Sequence, residues 1–160
     1  MTHTVPPSSA SPVQSPLTGQ IVEQLYAEAL LLADEARHAF EYSSPLNLKQ
    51  ATQPASVALS IEGLRTTTRI MHILAWLLNQ RAFMAGELNE RQLQQHGALP
   101  KDRRSEPEQL ALLEPKTCEL ITESERLHAR IARLDEQQRQ AVGEAAPVQT
   151  LQKKLSSAFG

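Results

Sequence analysis

Cysteine occurs once in this chain, at Cys118, so no disulfide can form within it. That suits a reducing compartment. Aromatic residues are scarce, at 4%. Leu and Ala dominate the apolar set instead, which favours helices over sheets. Basic charge is not in excess: 16 Lys and Arg face 18 Asp and Glu, for a net charge of -2. Nucleic-acid binders normally carry a basic surplus on one face, so that class is set aside. A long hydrophobic run is lacking too. The longest, Ile70 to Leu78, is bounded by Arg69 and, soon after, Arg81. A membrane-spanning helix needs about 20 apolar residues, so none is expected here. The opening "MTHTVPPSSASPVQSPL" has neither a basic start nor an apolar core, and does not read as a secretory signal.

What is present reads as helices. Residues 1–16 are rich in Pro, Ser and Thr and are expected to form a disordered arm. A first helix is predicted over 17–42, with Leu25, Ala29, Leu32, Ala36 and Ala39 on one stripe. "SSPLNLKQATQPA" marks a loop. A second helix is predicted from Ser56 to Ala85, with Gly86 as its left-handed stop. Asn89 and Gln92 have capping-box spacing for a short helix ended by Gly97, and Ser105 with Glu108 repeats that spacing. Pro115 either starts or kinks the last helix. Leu120, Ser124, Leu127, Ile131, Leu134 and Ala141 share its stripe, and Gly143 and Pro147 are expected to end it. The fold class implied is all-α: an antiparallel three-helix bundle over 17–142, between the arm and a flexible tail at 143–160.

The second helix carries two kinds of face. At about 100° per residue, Leu64, Met71, Ala75, Leu78 and Ala82 form one apolar arc, read as core. Leu74 widens it, and Ile70, Ile73 and Leu77 extend it round the back. This surplus suggests either a central helix or a homodimer interface. Arg65, Arg69, His72, Trp76, Asn79 and Phe83 form a second stripe, whose composition is that of a protein-binding patch. The alternative is that Trp76 and Phe83 cover the bundle edge while the arginines pair with acids of the first helix. On the first reading, Arg69→Glu leaves the melting temperature nearly unchanged and Leu78→Ala lowers it. In the tail, Val148, Leu151, Leu155 and Phe159 are spaced to form one apolar face on a partner, with Lys153 and Lys154 to the side.

Catalytic and metal chemistry find little support. "RTTTR" lacks the glycine-rich loop of a phosphate site. Glu35/His38 and Glu125/His128 have the Glu-x-x-His spacing of di-iron bundles, but both pairs lie off the apolar stripes. Cys118 has no local His or Asp to activate it. No catalytic, cofactor-binding or metal-ligating residue is assigned. Two classes remain: a non-enzymatic interaction protein, favoured by the lack of a converging polar cluster, and an all-α enzyme or metal-binding protein with an unrecognised site.

"LYAEALLLADEARHAFE", "EGLRTTTRIMHILAWLLNQRAFMAGEL" and "ESERLHARIARLD" resemble the RcdA family, over roughly residues 21–139. The family is named for regulation of CtrA degradation in alphaproteobacteria and was first catalogued as a domain of unknown function. The resemblance implies a three-helix bundle, usually a homodimer, with a flexible C-terminal tail and no catalytic activity. It implies an adaptor in the cytoplasm, recruited to a cell pole, that helps deliver cell-cycle regulatory proteins to the ClpXP protease. The partners implied are ClpXP, a CpdR-like response regulator, a cyclic-di-GMP effector protein and degradation cargo.

Overall fold

The computed structural model describes residues 17–41 and 53–159, the side chains at 41 and 144–146 aside. The expected arm at 1–16 and most of the first loop lie outside the described residues. Among the described residues five helices follow in order: α1 (Gly19–Glu41), α2 (Gln53–Met84), α3 (Glu90–His96), α4 (Pro107–Leu110) and α5 (Pro115–Phe159). The three long ones pack on one another as an all-α bundle.

Local signals set most of the boundaries. Thr18 Oγ1 accepts from the Ile21 amide at 3.3 Å, satisfying one of the free donors at the start of α1. Gly86 has φ 77, the left-handed region that glycine enters without penalty. Around it the Glu87 amide donates to Ala82 O and the Gly86 amide to Phe83 O, closing α2 with a Schellman motif. Asn89 and Gln92 form the reciprocal capping box of α3. Pro107 and Pro115 each stand in a first turn, where a missing N–H costs nothing. Ser105 is not the cap of α4; Glu106 takes that position, without a side-chain bond. α5 does not end at Gly143 or Pro147, and Pro147 lies inside it. Pro147 has no N–H to donate, so the ladder bond to the Gly143 carbonyl is missing while the helix continues.

Ion pairs and hydrogen bonds fix the helix directions. Glu23 of α1 pairs with Arg81 of α2 at 2.8 Å, and Phe40, at the other end of α1, lies against Gly63. These two helices are antiparallel, as expected. Along α5 the order is reversed: Arg69 meets Ser124, Trp76 meets Asp135, and Gln80 meets Gln138. The numbers rise together, so α5 runs parallel to α2 rather than against it. The connector between them makes this possible. Leu99 meets Asp135, Pro100 meets His128, Ser105 meets Glu125, and Leu110 meets Cys118. Residues 97–114 therefore run back down the bundle along α2 and α5, and α5 starts again from the far end.

The core is filled from all three helices. Val22, Leu25, Ala29, Leu32 and Ala36 come from α1, Ile70, Ile73, Trp76 and Leu77 from α2, and Leu120, Leu127 and Ile131 from α5. Each large apolar side chain contributes about 1.5–3 kcal/mol when fully buried. The stripes expected for α1 and α5 hold, with Leu134 partly buried and Ala141 exposed. The arc expected as the α2 core does not. Leu64, Met71, Ala75 and Leu78 are exposed, while Ile70, Ile73 and Leu77 are interior. α2 is turned by about half a revolution from the sequence expectation.

Candidate interaction site

The mixed stripe of α2 faces inward and holds the connector. Arg69 is its centre, with a side chain that is 0% exposed. Its Nε donates to Asp102 Oδ1 at 2.8 Å, its Nη1 to Ser124 Oγ at 2.8 Å, and its Nη2 to the Arg103 carbonyl at 3.1 Å. Glu125 Oε1 lies 3.4 Å from that same Nη2 and also accepts the Ser105 amide at 2.8 Å. A planar guanidinium is suited to so many acceptors in fixed directions. One turn below, Arg65 donates to Glu106 and to Glu62, both at 2.8 Å. The bond to Glu106 holds the Arg65 guanidinium above its ordinary pKa, against the opposing effect of desolvation. Two turns above Arg69, Trp76 Nε1 donates to Asp135 Oδ1 at 2.9 Å, and a turn further on Gln80 and Gln138 exchange amide bonds at 3.1 Å. His128 of α5 is buried and donates from Nε2 to Pro100 O at 3.0 Å.

This corrects the expected partner-binding surface. Arg69 and Trp76 are buried, and Arg65 is nearly so; His72 and Asn79 are half-buried, and Phe83 is at the edge of exposure. In the closed bundle, Arg69 and Trp76 cannot reach a partner. Nor do the arginines pair with acids of α1. Apart from Glu62 of α2 itself, their partners Asp102, Glu106 and Glu125 come from the connector and from α5. The sequence linked none of those three acids to α2, nor Ser124 and Asp135; Ser124 stood only on the α5 stripe and Glu125 only in a Glu-x-x-His pair. The only signal was the charged string "PKDRRSEPEQ", and nothing local tied it to α2.

Two apolar faces remain uncovered among the described residues. On α2, Val57, Leu64, Met71 and Leu78 are 51%, 71%, 62% and 48% exposed, and they stand seven residues apart. Such spacing keeps one seam facing a partner helix over its whole length. Between them stand Ser60, Thr67, Thr68 and Ala75, small and uncharged, and all exposed. On α5, Val148, Leu151, Leu155 and Phe159 are exposed. Gln138 is level with Gln80, so Val142 is level with the end of α2. The residues beyond it project about 25 Å at 1.5 Å per residue.

Among the described residues, no three His, Cys, Asp or Glu side chains gather as a metal site. Glu125 and His128 are engaged with the connector, and His38 Nδ1 lies 2.9 Å from the Asp34 carbonyl. Cys118 Sγ donates to the Leu110 carbonyl at 3.2 Å. Among the described residues, no helix is long and apolar enough to cross a membrane.

A family model described as a protein of unknown function, DUF1465, matches residues 13–159, nearly the whole chain. The chain belongs to the DUF1465 family. No curated protein matches it in sequence. Among solved structures it is similar to the crystal structure of RcdA from Caulobacter crescentus CB15. The two are 26% identical, with a TM-score of 0.56, over 73% of this chain and 90% of that one. The resemblance to the RcdA family seen in α1, α2 and α5 therefore extends to the folded chain.

Proposed function

We propose that this DUF1465 protein is a non-enzymatic adaptor of regulated proteolysis that brings cell-cycle regulatory cargo to the ClpXP protease. The observation carrying this reading is the similarity to RcdA over nearly three quarters of the chain, with a family resemblance that implies an adaptor. The surface agrees with it. The polar groups gathered in the bundle bind the chain's own connector, and the uncovered faces are apolar. On this reading ClpXP, a CpdR-like response regulator, a cyclic-di-GMP effector protein and cargo are the partners, and the protein acts in the cytoplasm, with recruitment to a cell pole.

We assign the two faces different work. The seam of Val57, Leu64, Met71 and Leu78 joins two copies into a homodimer; it replaces Ile70, Ile73 and Leu77, which are core. Leu151, Leu155 and Phe159 on the projecting end of α5, with Phe83 at the end of α2, take cargo or protease. An apolar helical stripe laid into a groove is a recurrent way of binding a partner.

A reconstituted ClpXP assay, with the response regulator present, tests the reading. Adding the chain should accelerate degradation of at least one cargo, and a chain lacking 144–160 should not. If no cargo from the native cell is degraded faster and none co-purifies with ClpXP and the chain, the adaptor reading is wrong.

A further inference from the structure

We propose that residues 97–114 form a displaceable strap, and that the seat beneath it is a concealed site for an extended acidic peptide of a partner. The inference goes beyond the adaptor reading and does not depend on it. It starts from how the strap is held. From Leu78 to Glu119 no hydrophobic side chain is fully buried, so the strap has no apolar anchor in the core comparable to Leu77 or Leu120. Leu99 is partly buried against the core, Leu110 and Leu113 are half-buried, and the rest of the grip is polar. Asp102 sits on Arg69 and Glu106 on Arg65, four residues apart on the strap and four apart on α2. Backbone groups complete it: the Arg103 and Pro100 carbonyls accept from Arg69 and His128, and the Leu99 and Ser105 amides donate to Asp135 and Glu125.

A chain held by its carboxylates and backbone is held as a bound peptide would be. The strap is thus a template for its own competitor: a segment with two carboxylates at that spacing and an extended backbone between them. Affinity from main-chain bonds and specificity from alternate side chains is the general pattern for such segments. The seating is also incomplete. Glu62 Oε2 beneath the strap and Ser105 Oγ on it are buried without hydrogen-bond partners. Lifting the strap restores water to both, so the docked state is the less favourable one for these groups. What would be uncovered is Arg65, Arg69 and His128, and arginine is among the residues enriched at binding hot spots.

Hydrogen exchange on the full chain tests the strap. The Leu99 and Ser105 amides report it directly, because they bond to α5 side chains. They should open at least about tenfold more often than the core amides of Ile73 and Ile121. Equal protection would show that the strap opens only with the whole bundle, and would overturn the proposal. The site is tested with a labelled synthetic peptide of residues 97–114. Tethering gives the native strap a large effective concentration, so the wild-type chain should not bind the peptide measurably. Asp102→Lys repels the strap from Arg69 and should admit it. A peptide carrying Asp102→Asn and Glu106→Gln should bind at least about tenfold more weakly. If Asp102→Lys does not stay folded by circular dichroism, Asp102→Asn takes its place. A variant with an open strap that ignores the peptide, or binds the neutral one equally well, overturns the acidic site.

Discussion

Replacing Arg69 with Met tests the inward placement of the mixed stripe most directly. Met keeps much of the aliphatic stem and removes only the guanidinium. Asp102 and Glu125 then lose their shared cation, while Ser124 and the Arg103 carbonyl lose a donor. Breaking a buried charge pair from one side costs about 3–5 kcal/mol. Asp102 and Glu125 retain 15% and 24% exposure, so water relieves part of the loss and the lower end, about 3 kcal/mol, is expected. For a chain of this length each kcal/mol moves the melting temperature by about 2–4 °C, which gives a drop of about 6–12 °C. Arg69→Glu should be worse, because it places a third carboxylate between two others. Leu78→Ala is the comparison. Leu78 is 48% exposed, and its truncation should cost about 1 kcal/mol or less. This reverses the order expected from sequence. Calorimetric melts at two protein concentrations separate fold stability from any dimer contribution. If Arg69→Met melts no lower than Leu78→Ala, Arg69 is not a structural keystone and the stripe faces outward in solution.

Three further outcomes are expected. Leu64→Glu with Met71→Glu should turn a sedimenting dimer into a monomer and leave helicity unchanged; a wild-type monomer at micromolar concentration would remove the seam's assigned role. Gly63→Ala should destabilise the bundle by about 1–3 kcal/mol, because its β-carbon would stand 2.9 Å from Phe40 Cδ1; an unchanged melt would show that the ring moves aside freely. Deleting 144–160 should leave the melting of the bundle within about 0.5 kcal/mol of the full chain, since the described side chains from Pro147 to Phe159 are all exposed; a clear loss of stability would make that end part of the fold.

The residues that spoke clearly in the sequence are those whose partners are near in the chain. Leu25 to Ala36 declared the buried face of α1. Gly86 and the Asn89–Gln92 pair declared their caps, because a cap is a property of four or five residues. Arg69 did not declare its role, since Asp102 lies 33 positions away and Ser124 lies 55. A helical wheel shows that α2 has an apolar arc, but not which side the rest of the chain will cover. Here the interior took Trp76, Arg69, Thr66 and Gln80, and the cleaner apolar arc was left outside. The direction of α5 was hidden for the same reason. A connector that returns along the bundle leaves no mark in periodicity. Pro147 misled in the other direction: proline is a strong stop inside most helices, but one missing bond on an exposed helix end is survivable.

The parallel course of α2 and α5 has a mechanical consequence. α5 projects from the bundle at the end where α2 also finishes, so a load drawn away along Phe159 runs down the α5 axis. It pulls Arg69–Ser124, Trp76–Asp135 and Gln80–Gln138 sideways and all together. An antiparallel last helix projecting from the opposite end would load its contacts along its axis too, but it would be joined to α2 by a short turn and could peel from it bond by bond. Here the return connector must also be dragged from its seat before α5 slides free. Forced unfolding is governed by the rate of the first rupture, and contacts loaded in shear break as a set. On the proposed adaptor reading, this arrangement sets a high barrier against a pull applied through α5.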